Sequence, residues 1–224
     1  MRITFGVCVC ENNIHYHEEI IKSIQELNIP EYEIIFIGSN ECKKDNVRFI
    51  EFDESIKNGW ITKKKNIICS SAVYENVVLL HDYLKFNDNW YDGFLKHGDD
   101  FDICMNIIFN VNGTRFRDWC LNPYKVIPPI GPLNSREFSL PYDENRLIPK
   151  MYISGAYWIA KTKFMIENPL DESLLWGESE DIEWSNRVLS KANYKMNPNS
   201  IVSLIKFKHY DFEEISSESL LKIL

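Results

Sequence analysis

The sequence predicts an α/β domain with a mostly parallel central sheet flanked by helices, and three observations carry that expectation. Ile3 to Cys10 and Tyr32 to Ile37 are apolar almost throughout and read as strands. Between them, Glu18 to Leu27 places Ile20, Ile21, Ile24 and Leu27 at helical spacing. A strand, a helix and a strand in that order form a right-handed crossover, which makes the two strands parallel. The third observation is Val77-Val78-Leu79-Leu80, a buried-strand run that ends abruptly in His81-Asp82-Tyr83. Ligands of α/β proteins sit outside the carboxyl ends of strands, so ionisable side chains there are candidates for chemistry. A plain turn, with Asp82 as its cap, reads equally well from this stretch alone.

Size and composition bound the rest. The chain has 224 residues, 45% hydrophobic and 13% aromatic, enough for one sizeable core. Its net charge of −8 argues against general nucleic-acid binding, which needs a basic face. No run approaches the roughly 20 apolar residues that span a bilayer, and Met1 leads straight into a strand without a signal-peptide layout. Six cysteines contain no C-x-x-C pair, and Cys8, Cys69 and Cys104 lie in apolar runs. The expectation is a reducing, cytoplasmic setting, with the inner face of a membrane left open.

Further elements follow in order. Val47 to Phe52 is a short strand, Asn58-Gly59 a turn, and Ile61 to Val73 a helix with Lys63-Lys64-Lys65-Asn66 in its early turns. Those lysines read either as a solvated face or as a phosphate-facing patch at a helix start. A short helix leads through Phe94, and Asp102 to Val111 is another strand. Six of the nine prolines fall between Asn122 and Lys150, which reads as an insertion or lid. Met151 to Ala160 is expected as one strand, Ile182 to Ala192 as a helix, and Ser200 to Phe207 as a last strand ending at His209. The domain is thus placed at 1–211. Residues 212–224 read as an amphipathic helix, with a longer chain expected beyond it.

Asp82 and His209 both follow apolar strands, and Glu178, Glu180 and Asp181 form an acidic cluster at a helix start. Carboxylate oxygen plus imidazole nitrogen, with open positions, suits Mn²⁺ or Mg²⁺ completed by a diphosphate. The alternatives are a first-turn helix carboxylate and an ordinary strand-end histidine.

The order of these segments resembles the GT-A glycosyltransferases of family 2. Gly59 through Lys65-Asn66 is similar to that family's small-x-x-Arg-Asn segment, and Leu79 to Tyr83 stands where it has Asp-x-Asp. Ser154-Gly155-Ala156-Tyr157-Trp158-Ile159-Ala160 resembles its acceptor-side strand. Leu170-Asp171-Glu172 followed by Gly177 to Trp184 resembles its Phe-Asp-Glu and Glu-Asp-x-Asp segments, and His209 its late histidine. The resemblance covers residues 3 to 211. It departs at His81-Asp82-Tyr83, which is not Asp-x-Asp, and at Gly38-Ser39-Asn40, where the family carries Asp-Asp or Asp-Gly.

What the resemblance implies is an inverting glycosyltransferase. It would move a sugar from a nucleotide-diphosphate donor, UDP-linked, to a hydroxyl of a glycan or glycolipid. Asp181 would be the general base and Glu180 its partner. Val9, Glu11, Ser39, Asp53, Lys65, His81 and Asp82 would face the donor, and Asp82 with His209 would hold Mn²⁺ or Mg²⁺. Tyr157, Trp158, Trp176 and Glu178 would face the acceptor, with core packing the competing reading for the aromatic rings. Two rivals stand beside it. One is a non-catalytic module of the same fold that binds a nucleotide sugar or a protein. The other is a nucleotidyltransferase, which needs a Gly-rich basic loop after the first strand, where Cys8 to Asn13 supplies none.

Overall fold

A computed structural model describes residues 1–39, 44–122, 125, 139–208 and 214–224, and among these described residues lie ten strands and six α-helices. The first half alternates as the crossover rule demands: β1 (Ile3–Cys8), α1 (His17–Gln25), β2 (Tyr32–Gly38), β3 (Val47–Glu51), α2 (Ile61–Ser71) and β4 (Asn76–His81). Then come β5 (Leu84–Phe86), α3 (Trp90–His97), β6 (Ile103–Phe109), β7 (Cys120–Leu121), β8 (Met151–Tyr152) and β9 (Tyr157–Lys161). The chain continues through α4 (Thr162–Glu167), α5 (Glu180–Val188), β10 (Tyr194–Leu204) and α6 (Ser217–Ile223).

Eight strands form one sheet in the order β3-β2-β1-β4-β9-β6-β10-β5. β1 pairs parallel with both β2 and β4, and β2 with β3. β9 enters antiparallel between β4 and β6, and β6 then pairs parallel with β10. Six strands therefore run one way, and β9 and β5 run against them. The expected mostly parallel sheet is what forms. Its centre is dry: Val77, Val78, Leu79 and Leu80 of β4 are fully buried, each burial stabilising by roughly 1.5–3 kcal/mol. α2 packs so closely on β1 that a side chain at Gly6 would meet Ile68 Cγ2 at 2.1 Å.

Three departures from the expected elements have local causes. The run from Met151 to Ala160 is two strands, because Ser154-Gly155-Ala156 leaves the sheet and its backbone groups bond elsewhere. β10 begins at Tyr194 rather than Ser200, and a register shift between Asn197 and Ile201 absorbs Pro198, which cannot donate to a ladder. β5, β7 and α4 are too short to announce themselves by periodicity.

Much of the proline-rich stretch lies outside the described residues, at 123–124 and 126–138. Its described end is tied to the tail, since Ile215 N–H donates to the Ser139 carbonyl and Lys150 Nζ to the Ile223 carbonyl. No described helix is long and apolar enough to cross a membrane.

Candidate functional site

The carboxyl ends of β1, β2 and β4, the loop entering β9 and the start of α5 meet at one edge of the sheet. His81 N–H donates to the Ala156 carbonyl at 3.0 Å, joining the end of β4 to that loop. Two acidic corners flank the edge.

At the first corner Asp82 is 2% exposed. Its Oδ2 accepts from the Cys10 backbone N–H at 2.5 Å and its Oδ1 from Asn13 Nδ2 at 2.7 Å. Asn13 Oδ1 in turn accepts from Lys206 Nζ at 2.9 Å, and His17 Nε2 lies 3.7 Å from Asp82. Asp82 thus fastens the turn after β1 to the end of β4, which is how an aspartate anchors a loop. His209, its expected co-ligand, lies outside the described residues. Among the described residues no group of three or more His, Cys, Asp or Glu side chains is placed to hold a metal. Each Asp82 oxygen already accepts one hydrogen bond, and with no further pair of ligands beside it the described residues do not by themselves make a divalent site.

His81 beside it has the opposite status. Its ring meets Tyr83 edge-on at 5.4 Å, and its Nε2 is buried without a partner. Burial, then Lys65, Lys208, Lys64 and Arg117, holds its pKa well below the ordinary histidine value, so the ring is neutral.

The second corner is built on Gly155. Lys65, fully buried, donates from Nζ to the Gly155 carbonyl at 2.7 Å, while Gly155 N–H donates to Asp181 Oδ2 at 2.9 Å. Asp181 Oδ1 accepts from the Ile182 N–H at 2.9 Å. Ser185 Oγ bridges the Asp181 carbonyl and the Ile153 N–H. A Cβ at position 155 would lie 3.0 Å from Asp181 Oδ2 and 3.1 Å from Glu180 Oε1, so the two carboxylates would have to give way to any larger residue. Burial raises the Glu180 carboxyl above its ordinary value; Lys65 works against that and Asp181 with it. Lys65 lies 4.5 Å over the Trp158 ring.

The three early lysines of α2 are therefore no solvated face. Lys63 pairs with Glu172 at 2.8 Å; Lys64 pairs with Glu54 and donates to the Val9 carbonyl; Lys65 holds Gly155.

The remaining expected residues divide by exposure. Ser39 Oγ donates to Glu11 Oε1 at 3.1 Å on an open surface, and Val9 is buried beneath it. Asp53 turns outward and accepts from Ser55 N–H and Oγ, which lower its pKa. Glu178 folds back onto the Leu175 N–H at 2.8 Å. Tyr157 and Trp158 require a correction as sugar-facing rings, since both are core. Tyr157 Oη accepts from Trp90 Nε1 at 2.9 Å, and Trp158 stacks on Trp184 at 5.6 Å. Trp176, 63% exposed and tied by its N–H to the Gly59 carbonyl, is the expected aromatic that presents a face.

Sequence reasoning missed Arg117, Lys206 and Lys208. Lys208 Nζ stands 4.1 Å and Lys206 Nζ 5.1 Å over the Tyr83 ring. Arg117 Nε is buried without a partner. The available signal was Thr114-Arg115-Phe116-Arg117-Asp118, a charged run directly after a strand.

Sheet order, the antiparallel insertion of β9 and the site at the carboxyl edge define a GT-A fold. Solved structures bear this out. A fragment of S. aureus TarS in complex with UDP superposes with a TM-score of 0.57 at 17% identity, over 100% of this chain and 63% of that one. The same fragment with UDP-GlcNAc covers 97% and 59%, again at 0.57 and 17%. GalNAc-T7 with UDP, GalNAc and Mn²⁺ superposes at 0.64 and 15% identity, over 95% of this chain and 45% of that one. This chain spans less than two thirds of those chains. No family model matches the sequence, and no curated protein does.

Proposed function

We propose that this protein is a glycosyltransferase that moves a sugar from a UDP-linked donor to a hydroxyl of a glycan or glycolipid acceptor, with inversion at the anomeric carbon. The observation that carries the reading is Asp181, held by Gly155 N–H at 2.9 Å and by its own helix start, at the carboxyl edge of a GT-A sheet. UDP and UDP-GlcNAc in TarS, and UDP in GalNAc-T7, support the donor class.

In the proposed reaction Asp181 accepts the acceptor's hydroxyl proton as its oxygen bonds the anomeric carbon. The bond from that carbon to the diphosphate oxygen breaks on the opposite face, and its electron pair leaves with the nucleoside diphosphate. A base acting here must come within roughly 2.6–3.2 Å of the hydroxyl. Lys65 fixes the base through Gly155 and Glu180 shares the acidic site; Val9, Glu11 and Ser39 border the nucleoside, and Trp176 with Glu178 faces the acceptor. The Mn²⁺ of GalNAc-T7 supports a divalent ion near Asp82 and His209, but the closed hydrogen bonds of Asp82 leave no step to derive through it.

The closed Asp82 corner also favours a second reading, a non-catalytic module that binds the same donor. The discriminating experiment pairs a thermal-shift panel of nucleotide sugars with proton NMR of the reaction mixture. Expected are a rise in melting temperature with UDP-sugars and the appearance of an inverted glycoside. A shift without turnover across an acceptor panel selects the binding module, and no shift with any nucleotide sugar overturns both readings.

A further inference from the structure

We propose that the protein receives the diphosphate of its donor on its own side chains, Arg117, Lys206, Lys208 and His81, at the place where the resemblance puts a divalent ion. The proposal rests on the nucleotide-diphosphate reading above.

Three observations converge. First, the carboxylate at that place is closed, with both Asp82 oxygens bonded to the loop after β1. Second, the cations around it form no contact ion pair among the described residues, although Asp181 acts on Arg117 and Asp82 on Lys208 from further off. Neighbouring buried or half-buried cations are matched, Lys64 by Glu54, Lys63 by Glu172 and Arg115 by Asp118. Among the described residues Arg117, Lys206 and Lys208 enter no ion pair; Arg117 shares a hydrogen bond with Tyr152, Lys206 reaches the Asn13 amide, and both lysines stand over the Tyr83 ring. Like charges held together in a half-buried site repel, and a chain of net charge −8 has acidic groups to spare for pairing them.

Third, buried polar atoms at the same edge have no hydrogen-bond partner, His81 Nε2 and Arg117 Nε among them. Leaving a buried polar group unpaired costs about 1–3 kcal/mol, and such groups in folded proteins call for a reason. An anion would supply it. Both ammonium groups converge on Tyr83, whose ring is 5.4 Å from His81 and within electrostatic reach of Arg117, which gathers the four side chains at one edge. Guanidinium matches phosphate oxygens two at a time, and ammonium serves as a point charge. These side chains would offset the charge that the leaving diphosphate gains as the sugar departs.

Calorimetric titration of UDP and of uridine into the full chain, in excess EDTA and in excess Mn²⁺, tests this. UDP is expected to bind in EDTA as tightly as in Mn²⁺ and more tightly than uridine. Lys208→Ala and Arg117→Ala are each expected to weaken UDP about tenfold, the size of one charge-assisted hydrogen bond, and to leave uridine unchanged. Lys208 is half-exposed, so its variant decides the matter if Arg117→Ala fails to fold. UDP binding that requires Mn²⁺, or that ignores both substitutions, overturns the cationic site and leaves the donor reading standing. Absence of binding by UDP and by every other nucleoside diphosphate, with or without metal, removes the donor reading and this proposal with it.

Discussion

The two acidic corners of the site use the same residue type in opposite ways. Asp82 is buried with each oxygen bonded to a different donor, 72 and 69 residues away in the chain. Asp181 is fixed as firmly, by Gly155 N–H and Ile182 N–H, but it sits at a helix start beside Glu180, whose carboxyl burial pushes up. One aspartate closes a loop. The other is held beside a second carboxylate at the point where the helix dipole and Lys65 favour negative charge. Burial and hydrogen bonding alone do not separate a carboxylate that holds a loop from one proposed as a base. What lies next to it does.

Asp181→Asn tests the comparison most severely. Removing a general base costs about 10²–10⁴-fold in rate, so turnover should fall by that factor while UDP affinity holds. Retained turnover would make the second corner structural as well. Asp82→Ala comes next: it strands the Cys10 N–H and the Asn13 amide, and urea unfolding should show a loss of about 3 kcal/mol. A neutral result there would mean that the first corner does not hold its loop.

The smallest effect concerns Glu180. Its folded pKa is raised, so the group favours the folded state below its ordinary value of 4.5, and that contribution fades as pH rises through the folded pKa. Wild type should therefore lose stability relative to Glu180→Gln as pH climbs above about 4.5, read as a widening gap in melting temperature. A gap independent of pH would show that the carboxyl is not raised.

Legibility varied along the chain for physical reasons. β1, β2 and β4 were plain because strands buried on both faces are apolar without interruption. The acidic cluster at 178–181 was plain because carboxylates gather at helix starts. The Met151 to Ala160 run misled, since its break depends on Lys65 and Asp181, 90 and 26 residues distant, capturing the Gly155 backbone. Tyr157 and Trp158 misled as well, because an aromatic ring carries no local sign of whether Trp90 or Trp184 will cover it.

By itself the sequence determined the α/β class, the parallel first half of the sheet and the edge at which ionisable groups collect. Those follow from periodicity and chirality, which act over a few residues at a time. Tertiary structure alone decided which of those groups are satisfied. Asp82 finds its donors across the sheet, while Arg117 and Lys208 arrive from distant segments within electrostatic reach of His81. A hydrogen bond needs its partner within about 3 Å, and only the folded chain sets that distance.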